Sequence, residues 1–203
     1  MRRVAFLIDG FNLYHSLDFP KKYRKYKWLD FSELAKCFIS KKDKIAGIYY
    51  FTAYADWNPG KVKRHDIYID ALKRKGVKTV FGKFKVRDKW CPNCKSRFKT
   101  KEEKLTDVNI AIHLFKLAHY DKYDRVFLLS GDSDLIPAIQ SVKSTFPAKE
   151  VLVIIPIGRK AEELKNEADD YRKLKEKHLL ASQFPDEIDL GNDVKLVRPT
   201  NWR

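Results

Sequence analysis

The hydrophobic pattern of the chain alternates between short, continuous apolar runs and longer segments with a helical period. Val4–Ile8, Arg125–Leu129 and Val151–Ile155 are the clearest runs. Runs of this length are typical of strands buried on both faces of a sheet. Strand-like and helix-like segments follow each other in turn, and this order predicts an α/β fold with a mainly parallel sheet.

Capping and turn residues predict the remaining elements. Two further strands are predicted at Ile45–Tyr54 and at Lys78–Lys85, the latter bent at Gly82. Helices are predicted from near Asn12, from the Asp30 cap to Phe38, from Pro59 to Gly76, from Asp107 to Ala118, over Leu135–Ser144, and onward through Lys177. Lys21–Lys27 is predicted to be a loop, and the tail after Gln183 shows no pattern.

The helix at Asp107–Ala118 is predicted to begin with Thr106 as its cap. Its apolar side is expected to centre on Val108, Ile112 and Phe115 and to be widened by Ile110, Ala111 and Leu114.

The charge of the chain indicates the kind of partner that it binds. The chain has 203 residues with 42 basic and 27 acidic side chains, a formal net charge of +15. This excess favours a polyanionic partner, and nucleic acid is favoured over an anionic membrane surface. The longest apolar run, Val151–Ile157, is too short to cross a bilayer. Three cysteines do not make a disulfide framework, so a reducing, cytoplasmic location is expected.

Acidic residues follow two of the predicted buried strands directly. Asp9 ends the first strand, and Asp132 and Asp134 follow Arg125–Leu129. Open α/β sheets bind ligands at the carboxyl ends of their strands, so these carboxylates are expected to share one crevice. Crowded carboxylates repel one another, and a divalent cation would keep them ionised. The alternative is that each acid caps a helix, which explains one acid after Leu129 better than two.

Neighbouring polar residues extend this candidate site. Asp107 is either a fourth acid facing the crevice or a favourable charge at a helix start. Asn12 and Ser130 are candidates to orient substrate or water. Lys104 is a candidate phosphate contact, with a surface lysine as the alternative. Glu102 and Glu103 are expected to be solvated, with the alternative that either reaches the metal region.

Motifs of several other enzyme classes are absent from the sequence. There is no phosphate-binding Gly-x-x-x-x-Gly-Lys loop, no dinucleotide-binding Gly-x-Gly-x-x-Gly and no Gly-x-Ser-x-Gly elbow. Phe11 stands where a haloacid-dehalogenase-type phosphatase would have its second aspartate. Cys91 and Cys94 form one Cys-x-x-Cys, which is half of a zinc site. A plain turn, a zinc half-site shared between subunits, and a site completed by a distant histidine all remain open.

Two basic stretches contain interleaved aromatic residues, Lys21–Trp28 and Lys83–Arg97. Cations contact phosphates and aromatic rings stack on unpaired bases, so these stretches suit single-stranded nucleic acid. The alternative is a solvated surface whose aromatic rings pack inward.

Three segments together resemble the NYN domain family of the PIN-like nuclease superfamily. They are Ile8-Asp9-Gly10-Phe11-Asn12, Glu103-Lys104-Leu105-Thr106-Asp107-Val108-Asn109, and Ser130-Gly131-Asp132-Ser133-Asp134-Leu135-Ile136-Pro137. The likeness runs from about Arg3 to Glu167. It implies a PIN-like three-layer α/β/α sandwich over residues 1–180, a small Cys-containing insertion at about 88–104, and a C-terminal tail at 181–203.

The resemblance also implies a site and an activity. Asp9, Asp107, Asp132 and Asp134 would bind Mg²⁺ or Mn²⁺, and the expected reaction is hydrolysis of single-stranded or structured RNA. Asn109 stands where some members carry a further acid, which leaves one or two metal ions open. The alternatives are an RNA-binding regulatory module with a vestigial metal site and a nucleotide phosphatase. A homo-oligomer is also left open.

Overall fold

The central element of the fold is a six-stranded parallel sheet. The computed structural model describes residues 1–19, 21–192 and 194–202. In spatial order the strands are β3 (Lys78–Phe81), β2 (Asp43–Thr52), β1 (Arg2–Asp9), β6 (Arg125–Leu129), β7 (Glu150–Ile155) and β8 (Asp170–Lys173). Two antiparallel hairpins lie outside this sheet, β4 (Lys83–Trp90) with β5 (Arg97–Lys104), and β9 (Glu187–Asp189) with β10 (Lys195–Val197).

Helices cover both faces of the sheet. They are α1 (Gly10–Asp18), α2 (Phe31–Lys36), α3 (Pro59–Arg74), α4 (Thr106–His119), α5 (Ile136–Thr145), α6 (Glu162–Glu167) and α7 (Glu176–Ala181). Phe6 and Ile8 of β1 pack into a core with α1, α2, α3 and α7, whereas Ala5 and Leu7 pack into a second core with α4, α5 and α6. Because side chains alternate along a strand, β1 contributes to both cores. The predicted three-layer α/β/α architecture is confirmed.

The direction of the chain through the sheet reverses between β1 and β6. The first three sheet strands run outward from β1 in the order β1, β2, β3, and the chain then returns to place β6 on the other side of β1. A crevice opens at such a switch point, beyond the carboxyl ends of the two central strands. Asp9 ends β1 and Ser130 follows β6, so both lie at this point.

The predicted strand at Lys78–Lys85 is divided in the structure. β3 ends at Phe81, and Lys83 begins the separate β4–β5 hairpin. A side chain on Gly82 would lie 2.7 Å from the Lys104 carbonyl oxygen, so glycine is required where the hairpin begins and ends. The hairpin includes the predicted insertion at 88–104; its status as an insertion into the family fold stays a prediction.

The buried face of α4 also differs from the prediction. Ile110 and Leu114 are fully buried, while Val108 and Ile112 are 55% exposed. Thr106 is not the cap residue, because its backbone N–H and hydroxyl both donate to the side chain of Glu103. Ile110 and Leu114 were predicted to lie on the apolar side, but the centre predicted for that side, at Val108 and Ile112, was wrong.

Two further segments differ from the sequence prediction. A polar strand, β8, stands among the helices predicted up to Lys177, and Lys21–Tyr26 forms a short 3-10 helix instead of a loop. None of the helices in the described ranges is long and apolar enough to span a membrane.

The C-terminal segment packs on the main body of the chain. Phe184 is buried, and the Trp28 indole N–H donates to the Pro185 carbonyl oxygen at 2.8 Å. Trp202 packs against Trp28 with ring centroids 6.3 Å apart. The tail predicted to have no pattern therefore contains β9 and β10 and contributes to the core; its residues 193 and 203 lie outside the described residues.

Candidate active site

Asp9 is a buried carboxylate at the end of β1. It is 3% exposed, and its Oδ1 accepts a hydrogen bond from the Asn12 backbone N–H at 3.0 Å, which caps α1. The next residue must be small, because a side chain on Gly10 would lie 2.5 Å from the Phe51 carbonyl oxygen. The capping alternative is therefore real, but it uses only one of the two carboxylate oxygens.

The second carboxylate oxygen of Asp9 is bonded to the neighbouring strand. The Ser130 hydroxyl donates to Asp9 Oδ2 at 2.8 Å and accepts from the Asp132 backbone N–H at 3.1 Å. A parallel link joins Asn12 and Gly131, whose backbone N–H donates to Asn12 Oδ1 at 3.1 Å. These bonds fix the ends of β1 and β6 to each other.

Ser130 is buried behind the acidic residues, whereas a residue that binds substrate is expected to be accessible. Its side chain is fully buried, and its hydroxyl is engaged by Asp9 and by the Asp132 backbone. In this arrangement it contacts the acidic residues and positions them.

Three further acids lie near Asp9 with increasing exposure. Asp107 stands in the first turn of α4 and is partly buried, as is Asp132. Asp132 accepts a hydrogen bond from the Asp134 backbone N–H at 3.0 Å and so caps the short 3-10 helix Ser133–Leu135, while Asp134 is exposed. The structure thus brings the four predicted acids to one edge of the sheet.

The pKa values show that these acids influence one another. The pKa of Asp9 is raised to about 6 overall, mainly by burial and to a smaller extent by the charges of Asp107 and Asp132. The hydrogen bonds from Asn12 and Ser130 oppose this rise. Removing a carboxylate from water disfavours its charged form, and neighbouring negative charges add to that cost. Such a perturbed carboxyl in a crevice is typical of a functional site.

Asp107 shows the same effect more weakly. Burial raises the pKa of Asp107, followed by the charges of Asp132, Glu103 and Asp134, whereas the Lys104 ammonium group lowers it. Lys104 is half-exposed and also lies 3.4 Å from Glu102 Oε2. The predicted phosphate contact is therefore beside the acids, at the end of β5.

A strained turn carries the chain from β5 into α4. Leu105 has a φ of 79°, which is uncommon for a residue other than glycine. The Thr106 backbone N–H donates to Glu103 Oε1 at 3.1 Å. Glu103 therefore follows the alternative left open for it, and it is a structural part of this site. Backbone strain of this kind persists where the surrounding contacts enforce it.

The donor set suits a hard divalent cation. All four acids offer carboxylate oxygens, the ligands that Mg²⁺ and related ions prefer, and Asp9 accepts only two hydrogen bonds. Within residues 1–19, 21–192 and 194–202, however, no group of three His, Cys, Asp or Glu side chains is arranged to hold a metal ion. The acids are near enough to repel one another without forming a complete set of ligands.

A cavity of about 410 Å³ adjoins the acidic residues. Gly10 and Phe11, which directly follow Asp9, line it, as does Glu103. Its other walls come from α1, the start of α3 and the β4–β5 hairpin. Trp57, His65 and Phe84 lie in these walls, and nothing in the local sequence pattern around them indicated a shared site.

Cys91 and Cys94 lie at the turn of the β4–β5 hairpin. Both are free thiols, and Cys94 Sγ is 2.9 Å from the Ser96 hydroxyl oxygen. Hydrogen bonds from Ser96, and then from Cys91, lower the pKa of Cys94 to about 7. No third His, Cys, Asp or Glu side chain joins this pair into a metal site in the described part of the chain. Zinc at these residues stays a prediction.

The two basic and aromatic stretches have different surroundings. In Lys21–Trp28 the rings of Tyr26 and Trp28 are buried, so that stretch follows the alternative of aromatic residues that pack inward. Most of Lys83–Arg97 is exposed on the β4–β5 hairpin, where Trp90 is 61% exposed. The hairpin thus presents cations and an aromatic ring to solvent.

This geometry defines an α/β protein with an acidic centre at the switch point of a parallel sheet. The NYN domain family matches residues 3–175, and the chain belongs to this family of PIN-like nucleases. A crystal structure of a protein of unknown function from Vibrio parahaemolyticus is similar, with a TM-score of 0.61 and 16% sequence identity over 90% of this chain and 96% of that chain. At this identity the likeness shows the fold alone. No curated protein matches the chain.

Proposed function

We propose that this protein is a metal-dependent ribonuclease that hydrolyses RNA phosphodiester bonds at the acidic centre. The observation that carries the proposal is Asp9, a carboxylate 3% exposed whose pKa is raised to about 6 beside other acids. A helix cap alone does not require a buried carboxylate among like charges. A cation-binding residue does, because a bound cation offsets both burial and repulsion. Membership of a nuclease family that acts on RNA supports the same function.

In this proposal Asp9, Asp107, Asp132 and Asp134 hold one or two Mg²⁺ or Mn²⁺ ions. When bound, such an ion makes hydroxide available from water and neutralises charge on the phosphate. Ser130 holds the Asp9 carboxylate by its 2.8 Å hydrogen bond.

Two residues of the chain would position the substrate directly. Asn12 holds Gly131 through its carbonyl oxygen, at 3.1 Å, and would offer its amide nitrogen to a phosphate oxygen. Lys104 already influences Asp107 and would place a positive charge on the scissile phosphate. The net charge of +15 would supply most of the affinity for RNA, with a strong dependence on salt.

An RNA-binding regulatory module with a vestigial metal site is the second candidate. It is favoured by the observation that no three acidic side chains in the described ranges are arranged as a complete set of metal ligands. A nucleotide phosphatase is less favoured, because the net charge of +15 would serve no small substrate.

The test is cleavage of a labelled single-stranded RNA at low salt by the pure protein. We expect products with Mn²⁺ or Mg²⁺ and none in EDTA. RNA that is bound but intact with either metal would favour the regulatory module. Release of phosphate from mononucleotides, with little competition by long RNA, would favour the phosphatase.

A further inference from the structure

The cavity beside Asp9 combines aromatic walls with a cationic rim. It has a volume of about 410 Å³, within the usual size of pockets that bind small ligands. Gly10 and Glu103 line the end nearest the acids. A base bound in the cavity could therefore belong to the same nucleotide as a phosphate bound at the acidic centre.

Three aromatic rings form one wall of the cavity. The ring centroids of Trp57 and Phe84 are 4.7 Å apart at an interplanar angle of 86°, and those of Phe11 and Phe84 are 5.3 Å apart at 85°. Trp57 is 38% exposed although it is the largest of these side chains. Lys101 Nζ lies 3.9 Å from the Trp57 ring centroid. The indole face that Lys101 covers is one on which a planar base can stack in its place. The displaced ammonium group can then contact a phosphate of the same strand.

The cavity is lined by an uncharged histidine, by several cations and, at the end nearest the acids, by Glu103. His65 Nε2 is 3.3 Å from the Thr52 hydroxyl oxygen, and burial lowers the pKa of His65 to about 4. At neutral pH this ring is therefore uncharged and offers one donor and one acceptor. Lys61, Arg64 and Lys101 supply cations to the same cavity. Aromatic faces with neutral hydrogen-bonding groups suit a nucleobase, and the cations suit the phosphates on either side of it.

We propose that this cavity binds one unpaired nucleobase of the RNA strand, stacked on Trp57, next to the phosphate at the acidic centre. The inference rests on the proposed ribonuclease function and adds the substrate class to it. A base that is stacked and paired within a duplex cannot enter the cavity, so single-stranded RNA is the preferred substrate. The nucleotide bound in the cavity sets the position of cleavage, and RNA nucleotides farther from the cleaved bond do not.

The experiment is a double-mutant cycle on RNA affinity, measured in EDTA so that cleavage does not enter. Wild type and Trp57→Ala are titrated with a short single-stranded RNA and with copies that each lack one base. Stacking on an aromatic side chain changes affinity by about fivefold to 150-fold per base, so a change of about tenfold or more is expected. We expect wild type to lose about this factor when one particular base is missing.

The variant is expected to respond differently. Trp57→Ala should bind the intact RNA about tenfold more weakly and show no further loss at that same position. Trp57→Phe should restore part of the affinity, because it keeps an aromatic face. Tyr120→Ala is the matched control: it removes a 57% exposed aromatic ring at the opposite end of α4 from Asp107 and should behave as wild type.

The outcomes separate this inference from the proposed function. Equal loss at every missing base, or wild-type affinity of Trp57→Ala, overturns the base site even if metal-dependent cleavage is observed. A free nucleoside monophosphate that competes as well as the RNA strand overturns it in favour of a mononucleotide site. Position-specific coupling to Trp57 without any cleavage supports the base site while the nuclease proposal fails.

Discussion

The hydroxyl of Ser130 donates a 2.8 Å hydrogen bond to Oδ2 of Asp9, and this bond joins the carboxyl ends of two neighbouring strands. Ser130 is fully buried and Asp9 is 3% exposed, so water does not compete for the contact. Hydrogen bonds to a charged group are stronger than neutral ones, and more so when buried. The pair therefore fixes both the position and the ionisation of the central acid.

Ser130→Ala is expected to move the acidic limb of the pH–rate profile to higher pH. The hydrogen bond from Ser130 lowers the pKa of Asp9, so its removal raises that pKa above about 6. The RNA cleavage rate should fall most below neutral pH and recover in alkaline buffer, since Asp9 acts in its ionised form. Ser144→Ala, which removes an exposed hydroxyl on α5, is the control. A uniform loss at all pH values would contradict this effect of the Ser130 hydrogen bond on the pKa of Asp9.

Asp9→Asn is expected to stabilise the fold at neutral pH while it abolishes cleavage. The pKa of Asp9 is higher in the folded chain, about 6, than its ordinary value of 3.8, so its ionisation opposes folding. This loss of folding free energy is absent below the pKa of the unfolded chain and grows as the pH rises from 3.8 to about 6. Above about pH 6 it reaches roughly 2–3 kcal/mol. The free energy of unfolding, measured by urea denaturation at a series of pH values, should decline less between pH 3.8 and about pH 6 in Asp9→Asn than in wild type. An equal decline in both proteins would contradict the buried charge.

Asp43→Asn provides a matched control with the opposite sign. Hydrogen bonds from Arg2 lower the pKa of Asp43 to about 2, and Arg2 Nε lies 2.8 Å from Asp43 Oδ1. A lowered pKa stabilises the fold above the unfolded value and the benefit is lost as pH falls toward about 2. This variant should therefore lose stability at neutral pH.

The sheet was largely predictable from the sequence, because its central strands are continuous apolar runs that can only be buried. β8 was missed because Asp170–Lys173 is polar and exposed. The predicted centre of the buried side of α4 was wrong because apolar residues lie on more than one side of this helix. Val108 and Ile112 fit a helical stripe as well as Ile110 and Leu114, which were predicted only to widen it.

The acids of the candidate site were predictable, those at strand ends from the sheet pattern and Asp107 as an acid at the start of α4. Asp9 and Asp132 follow buried strands, so their convergence follows from sheet geometry. Trp57, Phe84 and Glu103 line one cavity because the β4–β5 hairpin folds toward α1 and α3. A local sequence pattern does not predict such a contact between distant segments. The burial of Ser130 could not be inferred either, since a serine after a strand is equally common at the surface.

Phe184→Ala tests the contribution of the C-terminal segment. Phe184 is 3% exposed and its ring centroid lies 5.4 Å from that of Trp28. Truncation of a buried phenylalanine costs about 3–5 kcal/mol, so the midpoint of urea unfolding should fall sharply. Val194→Ala, at a 55% exposed position of the same segment, should change it little. Equal midpoints for the two variants would indicate that the segment is independent of the domain proposed for residues 1–180.

Mn²⁺ is expected to raise the Tm of wild type because it would bind only the folded acidic centre. At about 100 times its Kd a ligand stabilises the folded state by about 2.7 kcal/mol. Asp9→Asn should show little of this shift in a thermal melt with Mn²⁺ and with EDTA. The same shift in both proteins would place the ion elsewhere.

The most direct test of the central claim is RNA cleavage by Asp132→Asn beside wild type and Asp70→Asn, with Mn²⁺ at low salt. Asparagine can keep the cap that Asp132 provides to the Asp134 backbone N–H, so the fold should persist. Asp70, on the exposed side of α3, is the matched control. We predict that Asp132→Asn cuts no RNA yet binds it as tightly as wild type or more tightly, and that Asp70→Asn cuts normally. Equal cleavage by all three proteins would contradict the assignment of the acidic centre.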